Sequence, residues 1–87
     1  MSMKVRVLGK LWGFVRKRME HVDGQCDNPT TPNKCIYVDS RLTGERELEV
    51  IIHELRHAGD WHRAEEAVDE ESRDLARTLW RLGYRKQ

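Results

Sequence analysis

Two helical periodicities separated by a single glycine restrict this chain more than any other feature. After Thr43-Gly44, the residues Leu48, Ile51, Ile52 and Leu55 recur at i, i+3, i+4 and i+7, which lines one face of a helix. Thr43 suits the N-cap, and Glu45 and Glu47 fall where the positive end of the helix dipole favours acids. Gly59 suits the left-handed residue that ends such a helix. Asp60 can then cap a second helix running to Leu82, with the stripe Ala64, Val68, Ser72, Leu75, Leu79 and Leu82, and Gly83 closes it. Two helices joined by so short a connection fold back on each other.

The first half of the chain has the other periodicity. In "KVRVLGKLWGFVRKRM", Val5 and Val7 alternate with Lys4 and Arg6, and Trp12 and Phe14 fall on one side, which predicts two short strands joined near Gly9-Lys10. A helix over Leu11–Met19 is the competing reading. "CIYVDS" places Ile36 and Val38 on one face and Tyr37 and Asp39 on the other, a third strand expected at an edge of the sheet. The expected fold class is α+β: a small three-stranded sheet, then two helices, in one domain spanning residues 1–87. A chain of 87 residues has a thin core, and a bound metal would add to its stability.

Within the first helix stands "HELRHAGDWH", which holds three of the four histidines of the chain. His53 and His57 are i and i+4, so both imidazoles leave the helix on one side, about one turn apart, and can converge on one ion at the roughly 2.0–2.1 Å that zinc requires. Glu54 projects to a different side, from which its carboxylate can reach a water without binding the metal. In such H-E-x-x-H sites zinc acidifies water and the glutamate takes and returns the proton. Catalytic zinc normally has three protein ligands. His62 is a tempting third, but Gly59 and His62 each come one residue too early for the H-E-x-x-H-x-x-G-x-x-H signature. The preferred third ligand is Glu66 in "EEAVDE", expected to face the gap between the histidines, with Glu70 one turn on as an outer hydrogen-bond partner. His62 and Glu65 are the alternatives.

Together "HELRH", "EEAVDE" and the closing "LARTLWRLGYR" resemble the short HExxH proteins of phage genomes that are described as metallopeptidases and, more distantly, minimal zincins of the gluzincin type. The resemblance runs from about Gly24 to Arg85, and HExxH is its specific part. It implies a zincin-like fold, Zn2+ as cofactor, His53, His57 and Glu66 as ligands, and Glu54 as catalytic acid and base. A very short interval between His57 and the third ligand, and no separate cleft subdomain, set this chain apart from longer gluzincins and imply weak or highly selective proteolysis.

Other features complete the expectation. A strand beside the active-site helix would align an extended substrate, and Ile36–Asp39 is the expected template. His62, Tyr37 or Tyr84 would stabilise the oxyanion. Trp12, Trp61 and Trp80 are expected in the core or at its rim. Cys26 and Cys35, with eight residues between them in a loop stiffened by Pro29 and Pro32, do not have the close spacing of a zinc knuckle and are expected as free thiols, with a disulfide across the loop mouth as the second reading and metal binding as the third. No segment approaches the roughly 20 apolar residues of a membrane span, and none has the form of an export signal, so a cytoplasmic location is expected.

The charge is uneven although the formal net value is only +1: residues 1–19 carry Lys4, Arg6, Lys10, Arg16, Lys17 and Arg18 and no acid. Three functions are thus consistent with the sequence. A zinc metallopeptidase acting on a peptide or protein is the first. A non-catalytic, zinc-stabilised binding module using the basic strands on nucleic acid or a protein partner is the second. A protease of DNA-associated proteins combines them.

Overall fold

A computed structural model describes residues 2–86. The protein is an α+β domain with a four-stranded sheet and two helices. The strands are β1 (Ser2–Val7), β2 (Lys10–Lys17), β3 (Gly24–Cys26) and β4 (Cys35–Asp39), and the helices α1 (Gly44–Gly59) and α2 (Glu65–Arg81). The sheet order is β1-β2-β4-β3, with β2 and β4 parallel and the other pairs antiparallel.

Alternation sets the first two strands. Val7 pairs with Lys10 across the two-residue turn Leu8-Gly9, both at positive φ (50° and 78°), the mirror-image turn whose twist matches a hairpin. Trp12 and Phe14 are buried in the core with Ile36, Val38 and Val50, and Val5 and Val7 pack against it. The helix alternative for Leu11–Met19 is thereby excluded.

Two expectations need correction. The sheet has four strands rather than three, because Gly24–Cys26 pairs with β4. For the same reason β4 lies in the interior, between β2 and β3, and β3 holds the edge. Nothing local marks Gly-Gln-Cys as a strand; it forms because β4 would otherwise leave a row of backbone donors and acceptors unpaired beside the core.

Helix α1 runs over the inner face of the sheet, and α2 packs on α1 without touching a strand. The deepest residues of α1 are Glu47, Val50 and Glu54, so its most buried line is offset from Leu48, Ile52 and Leu55, which are only partly covered. Thr43 takes the N-cap position with extended backbone, but its hydroxyl makes no capping hydrogen bond. Glu47 is an ion-pair centre, 3.3 Å from Arg16 Nη2 and 3.1 Å from Lys86 Nζ. Asp60 belongs to the end of α1, where its backbone N–H donates to Arg56 O, and α2 begins only at Glu65. Its packing line is Val68, Ser72 and Ala76, while Leu75 and Leu82 are exposed. Gly83, at φ 94°, closes the helix with its N–H to Trp80 O. No helix among the described residues is long and apolar enough to cross a membrane.

Candidate functional site

Helix periodicity puts His53 and His57 on one side of α1, and the partner helix decides what faces them. Their Nε2 atoms lie 3.0 Å apart, with the ring planes inclined at 70°. Glu65, the first residue of α2, reaches both: Oε1 is 2.9 Å from His53 Nε2 and Oε2 is 3.0 Å from His57 Nε2. On the opposite side of its ring, His53 Nδ1 lies 3.2 Å from Asp69 Oδ1, one turn after Glu65. The ring of His53 thus meets a carboxylate at each nitrogen, and the N–H that Nδ1 can give to Asp69 would free Nε2 to bind an ion beside His57 and Glu65.

These are the atoms of a candidate metal site. His53, His57 and Glu65 are a group that could hold an ion. Nitrogen and oxygen ligands about 2.0–2.1 Å from a tetrahedral zinc stand about 3.3 Å from one another, close to the spacings here. Two imidazole nitrogens facing each other are bridged by a proton or by a cation. The donor set of two imidazoles and a carboxylate could hold a divalent metal ion.

Glu66 and Glu70, expected at this gap, are displaced from it: Glu66 is exposed and outside the cluster, and Glu65 and Asp69 occupy the two positions. The reason is the register of α2. With Val68, Ser72 and Ala76 turned to α1, residues 65 and 69 fall beside that line at 100° per residue, and residues 66 and 70 fall nearly opposite it. His62 is exposed in the loop after α1, outside the cluster.

Glu54 is 7% exposed, although the sequence gives no sign of burial at that position. Its carboxyl faces β3: a Cβ on Gly24 would sit 2.8 Å from Glu54 Oε2. Burial pushes its pKa up to about 7, opposed by the neighbouring His53 and aided by the Glu65 carboxylate. Glu54 borders two hollows, one with His53 and Asp69, the other with His57, Glu65, Cys26, Trp61 and Arg63. It thus stands between the candidate ligands and the edge strand.

The surroundings include the expected free thiol Cys26 and a residue that the sequence did not single out, Arg63. Cys26 is a free thiol whose pKa is pushed up to about 12 by burial, then by Glu54 and Asp27, so without a metal it stays protonated at neutral pH. Arg63 lines the hollow beside His57 and donates from Nε to Glu71 Oε1 at 3.1 Å. Arg63 has no local signal, since an arginine in a polar loop is ordinary. Of the expected oxyanion donors, Tyr84 lies beside Trp80 near the start of α1, and Tyr37 lies under Lys17 on the sheet.

Comparison of the chain with family models, with curated proteins and with solved structures finds no match in any of the three.

Proposed function

We propose that the protein is a zinc-dependent metallopeptidase that hydrolyses peptide bonds in the cytoplasm, with His53, His57 and Glu65 as metal ligands and Glu54 as acid and base. One observation carries the reading: two imidazole nitrogens and a carboxylate meet within about 3 Å of one another beside a buried glutamate that is not among them. Glu65 here takes the ligand place first given to Glu66.

Zinc held there supplies a Lewis acid that polarises a carbonyl oxygen and makes water a stronger acid near neutrality. The protein's own residues do the rest. Asp69 fixes the ring of His53. Glu54 takes a proton from the attacking water and delivers it to the nitrogen as the C–N bond breaks, and a carboxyl with proton affinity near neutral pH can serve in both directions. The edge strand β3 offers free backbone groups to an extended peptide next to Glu54, in place of β4.

The test is a preparation of the full chain loaded with zinc, assayed for metal per chain and for hydrolysis of a casein digest. Glu54→Gln is expected to keep one zinc and lose hydrolysis. A wild-type chain that takes up no zinc would refute the reading.

A second reading has its own observation. Both helices lie on one side of the sheet, and the register turns Lys4, Arg6 and Lys17 to the uncovered side, away from Trp12 and Phe14. A basic sheet face fits a polyanion such as nucleic acid, and an affinity that falls steeply with salt would support it.

A further inference from the structure

Trp61 separates two hollows. On one side it borders the hollow that contains Glu54, His57 and Glu65. On the other it walls a second hollow of about 310 Å³ with Val7, Trp12, Pro29 and Ala58. Trp12 is 1% exposed and anchored in the core, whereas Trp61 is 36% exposed and sits in the loop between the helices. One wall thus belongs to the core and the other is partly open to solvent. No carboxylate lines this second hollow, and Lys10 is its formally charged member. Its volume is at the low end for a small-molecule site, enough for one large side chain.

The opposite flank of the site has different chemistry. Beyond His53, a hollow of about 230 Å³ is lined by Asp23, Glu49, Asp69 and Arg46. Arg46 is already engaged by Asp23 at 2.7 Å and Glu49 at 3.0 Å, so the flank retains surplus negative charge. An acidic side chain is repelled there. Glu54 and, on β3, Gly24 border the acid-lined hollow directly, and the apolar hollow lies across Trp61 from the one that Glu54 shares with His57 and Glu65.

We infer that the hollow between Trp61 and Trp12 receives a large apolar side chain of the peptide being cut, so the protein selects peptides with a residue such as Phe or Leu on one side of the cleaved bond and no acid on the other. This rests on the hydrolase reading above and gives it a substrate class. A large apolar side chain gains by leaving water for this hollow, and a small or polar one does not.

The experiment uses blocked hexapeptides in which Phe, Ser, Lys or Glu occupies each position in turn. Cleavage by the zinc-loaded chain is read by mass, and binding to the zinc-loaded Glu54→Gln chain by calorimetry. Peptides with Phe are expected to be bound and cut at least about tenfold better than their Ser counterparts, with the cut at a fixed distance from Phe. Trp61→Ala should reduce that ratio to about threefold or less with zinc content unchanged, and Trp61→Phe should restore most of it. Cleavage without preference for Phe, or a preference that survives Trp61→Ala, would overturn the inference and leave the hydrolase standing. Selective binding without cleavage by the wild-type chain would sustain the apolar hollow and overturn the hydrolase. A chain that neither binds nor cuts refutes both.

Discussion

Gly24→Ala tests whether the edge strand and Glu54 are fitted to each other. An added Cβ would lie 2.8 Å from Val50 Cγ1, 2.8 Å from Glu54 Oε2 and 3.0 Å from Glu54 Cγ. Carbon atoms rest at about 3.5–4.0 Å, so the contact with Val50 is short by roughly 0.7 Å. Glu54 has a flexible end and can turn aside. Val50 cannot, because a β-branched side chain in a helix keeps essentially one rotamer and this one is 5% exposed. Overpacking of this kind costs about 1–3 kcal/mol. Replacing glycine also removes freedom from the unfolded chain, a gain of about 0.4–1 kcal/mol. The net expectation is a loss of about 1–2 kcal/mol, read as a lower urea midpoint at constant slope for the metal-free chain. On the proposed hydrolase reading the same displacement, moving Glu54 by up to about 1 Å, should lower hydrolysis on the order of a hundredfold and leave zinc uptake unchanged. An alanine variant more stable than the wild type, with unchanged hydrolysis, would show that β3 does not approach α1 as described.

Three further outcomes are expected. Glu65→Ala should weaken zinc binding sharply and Glu66→Ala should leave it unchanged, as measured by competition with a chromophoric chelator; the reverse result would return the ligand role to Glu66. Val68→Ala, at a fully buried position in the α1–α2 interface, should cost about 2–3 kcal/mol in urea unfolding, roughly 1.6 from lost transfer free energy and the remainder from the cavity. Hydrogen bonds from Arg41 hold the Asp39 carboxyl down at about 2. A depressed carboxyl stabilises the fold fully above its unfolded pKa of about 4 and loses that contribution as pH falls towards 2. Acid titration of stability should show this loss in the wild type and a shallower one in Asp39→Asn.

The open side of the sheet bears on how so small a chain is stabilised. With α2 stacked on α1 and no element over the other face, the apolar interior is one layer between sheet and α1 and a second between the helices. Ion pairs bind the margins: Arg56 and Arg63 both meet Glu71, which ties the loop after α1 to α2. That loop carries Trp61, so the ion pairs also hold the wall between the two hollows. Breaking a metal site here would loosen the helix pair as well, since Glu65 of α2 meets the histidines of α1.

What the sequence determined by itself is whatever depends on neighbours along the chain. The β1–β2 hairpin follows from alternation and a turn that tolerates positive φ, and α1 from its helical periodicity and its acids at the start. Gly59, expected as the left-handed residue that ends α1, is instead its last residue and has no positive φ, and the most buried line is Glu47, Val50 and Glu54. The convergence of His53 and His57 follows from the pitch of a helix, which places i and i+4 together whatever surrounds them. Tertiary structure alone decided the rest. Strand β3 exists because β4 needs a partner, Glu54 is buried because β3 has a glycine opposite it, and Glu65 and Asp69 take the places first given to Glu66 and Glu70. A helix wheel shows which residues share a face but not how far the helix is turned about its axis. That turn was set by a loop ending at Ala64 and by the packing of Val68, Ser72 and Ala76 on α1, and one residue of difference in register is a rotation of about 100°.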